Sequence, residues 1–473
     1  MMSHEIRADY SQQWLLPPSL EDLLPSDHPA RFIREFVDAL DLPKLGFKMR
    51  KSDEGRPNYA ADLLLKVWLF GFLERIRSSR RLERACMRDV ALLWLTGMNY
   101  PDHNSLWRFW RDNLKSIKEV FRQTIRVAAK ADLIGMALHA LDGTKITARA
   151  STDKMWGKKI LQKKLEKLDR SIAEMISEVE KSEKAEAGQE NRLPVELADK
   201  QKLREEVRAK LKELEKENVQ HLHPDEREAR VMKNHEGTRL GYNAQALADA
   251  KHGLVIAVEV TNEQNDLHQL VSMIEKGKQE LGRVAVETVA DSGYCSGEQL
   301  SEAEKAEFPV LVNLDAVEAK KKRGGDYDIS KFTYDKRKDC FICPRGELLK
   351  YEKTRKLKGK PGPRVYRCRA YRNCPVRSQC SKDQNGRSIE QSCHWESYSR
   401  QRQKQDDEAK KLLLRQRMRI IEPVFAAVKE FLGFRRWTFG GLEKVRAQWC
   451  FVCSLVNLMR MYPLWKTHKL SFC

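Results

Sequence analysis

No stretch of the chain approaches the roughly 18 consecutive apolar residues that a membrane span requires, so a helical membrane protein is not expected. The opening run Met1-Met2-Ser3-His4-Glu5-Ile6-Arg7 has no apolar core of the kind a secretory signal carries, which leads to the expectation of a cytoplasmic protein. Cysteine is scarce: eleven in 473 residues is too few for a disulfide scaffold. Acidic residues are the minority of the charges: lysine plus arginine number 88 and aspartate plus glutamate 68, for a formal net charge of +20. A large basic protein is attracted to polyanions, most often nucleic acid.

The first 125 residues read as short helices joined by tight turns. Asp27-His28-Pro29 looks like a helix start, with Asp as cap and Pro in the first turn, followed by the apolar face Phe32, Ile33, Phe36, Val37 and Leu40. Tyr59 to Ile76 repeats the pattern, Val90 to Leu95 stops at Gly97, and Asp102 opens a helix that ends near Leu114. Arg80, Arg81, Arg84, Arg108 and Arg111 stud these segments. Such a layout suits a helix-turn-helix DNA reader; a helical bundle with a solvated basic surface is the plain alternative.

From Met136 the texture becomes strand-like. Met136 to Leu141 is an apolar run that stops at Asp142-Gly143-Thr144-Lys145, and Val284 to Ala290 stops at Asp291-Ser292-Gly293-Tyr294. Tyr242–Ala248 and Leu254–Val260 flank a turn at 249–253 and read as a hairpin, while Leu267 to Leu281 reads as a helix. Residues 158–224 interrupt the strands with Leu161, Leu165, Leu168, Ile172, Met175 and Val179 at heptad spacing. A second amphipathic stretch through Leu214 follows a polar link, so the segment is a helical hairpin, either packed on itself or serving as a dimerisation arm.

Two strand-terminal aspartates in a basic chain carry a chemical meaning. Adjacent carboxylates repel and raise the pKa of at least one, and a divalent cation relieves that repulsion while organising phosphate chemistry. A third acid is sought on a helix facing the sheet. Glu422 is the best candidate, two turns from both Arg415 and Lys429, with Arg419 nearby; Pro423 predicts that its helix begins or kinks there. Asp225, Asp249 and Asp266 are weaker candidates. Six cysteines fall between Cys340 and Cys393, in a basic stretch with little periodicity. Cys340, Cys343, Cys374 and Cys380 are candidate structural zinc ligands, with Cys368 able to replace either later one. Reduced cysteines in a loop-rich insertion are the alternative. Cys450 and Cys453 have the same spacing but lie in an apolar helix and read as core.

These residues resemble a family, the DDE transposases of bacterial insertion sequences, and most closely insertion-sequence group eleven-eighty-two. The resemblance rests on Leu141-Asp142-Gly143-Thr144-Lys145, Asp225 through Lys233, Gly241-Tyr242-Asn243-Ala244-Gln245, Val289 through Tyr294, Glu422-Pro423-Val424-Phe425 with Lys429, Gly433-Phe434-Arg435-Arg436, and Gly441 through Arg446. It implies an α/β fold: an RNase H-like mixed-sheet core of the retroviral-integrase superfamily, with a helical N-terminal domain and two insertions. The expected divisions are 1–125 (DNA-binding), 126–157, 225–320 and 397–473 (core), 158–224 (helical insertion) and 321–396 (cysteine insertion). It further implies an Asp142–Asp291–Glu422 triad holding Mg²⁺ or Mn²⁺. Double-stranded DNA, namely terminal repeats and target, is the implied partner, and Arg415, Arg419, Lys429, Arg435 and Arg436 are implied DNA contacts. A homodimer at synapsis and a nucleoid-associated location follow by analogy. Related transposases often carry tyrosine and arginine seven and four residues before the glutamate; here those positions hold Arg415 and Met418. A catalytically inactive DNA-binding descendant and a nuclease without strand transfer are the competing readings.

Overall fold

The computed structural model describes residues 19–48, 58–185, 195–234, 237–314, 326–357 and 362–472. The run Met1–Arg7 and residues 186–194 of the polar link expected over 181–194 lie outside the described residues, and 181–185 belong to the preceding helix. The chain forms two units, one of residues up to 131 with 430–434 and 451 onward, the other of 132–429 and 435–450.

The first unit contains α1 (Pro29–Asp38), α2 (Ala61–Leu73), α3 (Ser79–Cys86), α4 (Val90–Thr96), α5 (His103–Asp112) and α6 (Leu114–Lys130). Their boundaries follow local chemistry. Asp102 caps α5 by accepting the N–H groups of Asn104 and Ser105 at 2.9 and 3.0 Å, and Gly97 ends α4 in the left-handed region at φ +57°, where a side chain is costly. At α1 the cap is His28, not Asp27: the imidazole Nδ1 accepts the Ala30 N–H. Asp27 lies one residue too early and pairs with Lys466 at 2.6 Å instead. The core is aromatic, with Phe72 stacked on Trp110 and Phe451 edge-on to both at 5.0 Å.

The second unit is built on a mixed sheet of β1 (Leu138–Thr147), β2 (Arg230–Asn234), β3 (Gly237–Asp249), β4 (Val255–Thr261), β5 (Glu287–Ala290) and β6 (Val310–Val312). β3 runs antiparallel to β1 and to β4, whereas β5 runs parallel to β1 and β6 parallel to β5. The resulting order is β4-β3-β1-β5-β6, and β2 shares the outer edge of β3 with β4. The hairpin expected around 249–253 is present. One face of the sheet is covered by α7 (Leu270–Leu281) and α8 (Gly297–Lys305) through Leu141, Leu247, Met273, Ala290 and Leu300. Helices α9 (Trp395–Asp406) and α10 (Glu408–Ala426) follow the cysteine region. Gln401 and Gln405 of α9 bond the backbone of Val310 and Val312. They thereby satisfy an edge that would otherwise expose unpaired groups.

Three local expectations change. Asp142 does not end its strand: β1 continues to Thr147 because β3 pairs with it throughout, from His139↔Asp249 to Thr147↔Gly241. Pro423 neither starts nor visibly breaks α10. The helix passes through it, and the backbone widens into a π-type turn only at Ala427–Phe431. The cysteine region is not loop-rich. It is a five-stranded antiparallel sheet of Thr333–Asp335, Cys340–Ile342, Leu348–Thr354, Arg364–Cys368 and Ser388–Gln391. These strands are short, and charged outward residues such as Lys350 and Lys353 mask the inward pattern around Phe341, Leu349, Tyr366 and Ile389.

The helical interruption is a pair of helices, Lys158–Ala185 and Val195–Lys216. Leu161 packs with Val207, Leu211, Leu214 and Leu222, while Lys200 bonds Ser171 and Arg208 pairs with Asp169. Falling partners on one helix meet rising positions on the other, so the two run antiparallel and much of the heptad seam is consumed within the hairpin.

A close backbone approach constrains the sheet at Gly241, where a Cβ would stand 2.5 Å from the Ile146 carbonyl oxygen. Backbone cannot swing aside as a side chain can. Gly241→Ala is expected to cost about 1–3 kcal/mol, measured as a lower urea midpoint with unchanged slope; wild-type stability would show that β1 and β3 are not this close.

Candidate active site

The parallel pairing of β1 and β5 ends with Leu141 opposite Ala290. Successive residues on a strand point to opposite faces. Leu141 and Ala290 enter the core under α7 and α8, so Asp142 and Asp291, one residue further on, emerge side by side on the other face. That position is where the parallel pairing stops, at the carboxyl end of β5 and midway along β1, and the carboxyl ends of parallel strands are where open α/β sheets commonly bind ligands.

Helix α10 packs over this face through Ile420, Ile421 and Val424. Arg417 lies on the same helical face, and its Nη1 donates to Asp142 Oδ2 at 2.6 Å, with both side chains about four-fifths buried (17% and 21% exposed). The Asp142 carboxyl is pushed above the ordinary aspartate range. Burial is the main cause; the Arg417 charge opposes it, and the Asp291 charge adds to it. Asp291 caps a short turn by accepting the Gly293 N–H at 2.8 Å.

Asp266 approaches from the opposite face of β1. Its Oδ1 accepts from Asn243 Nδ2 at 2.6 Å and Gln245 Nε2 at 2.7 Å, and Lys145 pairs with it at 3.2 Å. This network sits directly on Gly143, where a Cβ would fall 2.4 Å from Gln245 Nε2 and 2.9 Å from Asp266 Oδ1. Tyr294, fully buried, donates its hydroxyl to Gln245. Burial and the charges of Asp266, Asp142 and Asp291 all push the phenol upward, so it remains a neutral donor.

The other acids separate clearly. Asp249 is buried and structural: it accepts the N–H groups of Gly135, Met136 and Lys251 and faces His139 at 3.5 Å. Asp225 is exposed, and the buried acid of its motif is Glu226, which accepts the Ala150 N–H. Glu422 lies on an exposed face of α10, in an open groove of about 660 Å³ with Arg415, Met418, Arg419 and Pro423. Among the described residues, no hydrogen bond or ion pair joins Glu422 to Asp142 or Asp291.

Arg435 and Arg436 are exposed just beyond the end of β1, where Arg436 bridges to Thr147. In the helical unit Arg80, Arg81, Arg84, Arg108 and Arg111 are all exposed. Arg81, Arg84 and Arg88 line a shallow cleft of about 320 Å³, while Arg111 is paired with Asp112. Arg75 and Arg77 instead bond the carbonyls of 430–432.

In the cysteine sheet, Cys343 and Cys380 pack against the cluster that contains Cys368. The Cys368 and Cys380 thiols are both pushed up by burial, then by neighbours that include Cys343 and Cys374. The Arg345 N–H points at Cys343 Sγ at 3.4 Å, and the Ala370 backbone serves Cys368 in the same way. Cys340 is buried within its strand and stands outside this group. Among the described residues no three His, Cys, Asp or Glu side chains are gathered closely enough to cage an ion as they stand.

Residues 342–462 match a family model described as a Transposase DDE domain, and residues 18–112 match one described as a Transposase domain (DUF772). Both matched models describe transposase domains, and neither covers half of the chain. A domain of this kind implies an enzyme of DNA transposition with DNA as substrate, and its family normally uses a divalent metal. The first match contains Glu422 and most of the cysteine sheet, and the second contains α1 to α5. No curated protein matches the chain. No helix among the described residues is long and apolar enough to cross a membrane.

Sequence reading missed Arg417, Lys145, Gln245, Tyr294 and Glu226 as parts of this architecture. For Arg417 a signal exists: it falls three and four residues before Ile420 and Ile421 on an otherwise apolar face, as a buried counter-ion would.

Proposed function

We propose that the protein cleaves and joins DNA at the ends of a mobile element, using Asp142, Asp291 and Glu422 with a divalent cation. The observation that carries this reading is the placement of two carboxylates side by side where the parallel pairing of β1 and β5 stops, in a chain whose flanking regions match transposase families. The strand order β4-β3-β1-β5-β6, antiparallel on one side of β1 and parallel on the other, supports an RNase H-like core.

The donor set fits a hard cation. Mg²⁺ prefers carboxylate oxygens and commonly takes only one or two of them with retained waters, and Mn²⁺ shares that preference. Asp142 has an oxygen committed to Arg417, and the carboxyl's raised pKa marks an unrelieved burial of charge. Bound there, a divalent cation supplies neutralisation of the charge that develops on phosphate and eases deprotonation of the attacking oxygen. The chain's own residues do the rest. Gly143 and Gly293 keep the floor thin, and the Asn243–Gln245–Asp266–Lys145 network holds it rigid. Arg415, Arg419, Lys429, Arg435 and Arg436 offer positive charge for DNA phosphates. Glu422 joins the two aspartates only if its part of α10 moves or turns when DNA and cation are present. The reaction is hydrolysis at a phosphodiester, with a 3′-hydroxyl leaving, followed by attack of that hydroxyl on a target phosphodiester with displacement of another 3′-oxygen. A dimer holding two ends and a role for Arg80, Arg81, Arg84, Arg108 and Arg111 in reading terminal repeats belong to the same proposal.

Asp142→Asn, Asp291→Asn and Glu422→Gln should each lower divalent-dependent cleavage of an end-containing duplex by about 100-fold or more, with DNA binding retained. Wild-type cleavage by any one removes that residue from the triad. Binding without cleavage by the wild type would favour the inactive descendant, and cleavage without joining would favour the nuclease.

A zinc ion in the cysteine sheet is a separate part of the proposal. Cys343, Cys374 and Cys380 remain its candidates, with Cys368 in place of Cys340 because it shares their cluster. Reduced protein should carry about one zinc per chain, lost in a Cys343→Ser/Cys374→Ser double variant and kept in Cys340→Ser. Zinc-free wild type, or zinc lost from Cys340→Ser alone, would contradict this set.

A further inference from the structure

One cleft is not absorbed by the triad. It has a volume of about 420 Å³ and lies beyond the carboxyl end of β6, where Asn313 meets the α9–α10 corner. Arg402, Lys411, Arg415 and Arg417 line it, against a single lining acid, Asp406. Lys411 is paired with the exposed Glu408 at 2.6 Å. The guanidinium groups therefore dominate its character, and guanidinium forks match phosphate oxygens.

Arg417 belongs to two places at once. It lines the cleft, and its Nη1 occupies Asp142 Oδ2. A divalent cation and a guanidinium compete for the same carboxylate oxygen, since both are drawn by the same negative charge. When the cation takes Asp142, Arg417 loses its partner and is left largely buried beside a basic cleft. An unpaired buried charge is unfavourable, and the nearest relief of the right chemistry is an incoming anion.

Resting on the two-aspartate reading, we infer that the cleft seats backbone phosphates of the DNA strand being processed. Arg417 is its positioning residue: it guards Asp142 in the resting protein and turns to a phosphate when the cation arrives. Cation and DNA then bind cooperatively, because each removes a cost of binding the other.

The test uses the full-length protein in two measurements. Mn²⁺ binding without DNA is followed by electron paramagnetic resonance of the free ion. Arg417→Gln should bind Mn²⁺ about tenfold more tightly than wild type, while Arg417→Lys and Arg402→Gln stay close to it. Affinity for a labelled duplex is then measured with and without Ca²⁺, an oxygen-seeking ion. Wild type should gain several-fold in affinity with Ca²⁺, Arg417→Gln should lose that gain, and Arg402→Gln should bind more weakly in both conditions. Equal or weaker Mn²⁺ binding by Arg417→Gln, or a retained Ca²⁺ gain, overturns the inference. Loss of Mn²⁺ binding in Asp142→Asn and Asp291→Asn alongside that result would leave the two-aspartate site standing. Wild-type Mn²⁺ binding by both aspartate variants would instead remove the site itself.

Discussion

Everything at the candidate site depends on one register: β1 and β5 run parallel and stop pairing at Leu141 and Ala290. Side-chain alternation then forces Asp142 and Asp291 onto the same face, next to each other, where their like charges cannot avoid interacting. The rest of the local structure answers that repulsion. Arg417 descends from α10 onto Asp142, the Gly293 N–H is spent on Asp291, and burial leaves the Asp142 carboxyl harder to ionise than an ordinary one. Two acids held together with so few compensating groups form an arrangement whose natural complement is a cation.

Beneath them the sheet is made thin and stiff. Gly143 admits Gln245 and Asp266 against β1, and Gly241 lets the β1 backbone come equally close. The Asp266 network and the buried Tyr294 hydroxyl then fix β1, β3 and the turn after β5 relative to one another. A second clasp lies at the other end of β1. Glu226 holds the Ala150 N–H and neighbours the Tyr242 phenol, which it and burial push upward, while Glu228 accepts the Leu442 N–H. Three motifs that are far apart in sequence, around Asp225, Gly241 and Gly441, thereby meet in one cluster.

Much of this was legible in the residues, for identifiable reasons. Apolar runs that stop at Asp-Gly and Asp-Ser-Gly betray Asp142 and Asp291, and the Gly97 stop, the Asp102 cap and the 249–253 turn were readable because caps and turns are local chemistry. What failed was non-local. Strand β1 outlasts Asp142 only because β3 pairs with it, which no property of 142–147 announces. Pro423 sits inside a helix held to the sheet by Ile420, Ile421 and Val424, so tertiary packing overrides the local penalty. The cysteine sheet was hidden by strands too short to show alternation, and Cys340 lies outside the cluster of Cys343, Cys368 and Cys380, which Cys-x-x-Cys spacing cannot announce because it says nothing of which face each sulfur takes. Glu422 was legible as a motif, but not its exposed position in this structure.

The central claim is that Asp142 and Asp291 together hold a divalent cation. It is tested most directly by locating Mn²⁺ through anomalous diffraction from crystals of the full-length protein. The account predicts a peak between the Asp142 and Asp291 carboxylates, with Arg417 displaced from Asp142, and no peak there in Asp291→Asn crystals grown the same way. A well-occupied Mn²⁺ peak elsewhere, with the Arg417–Asp142 pair intact, would contradict it.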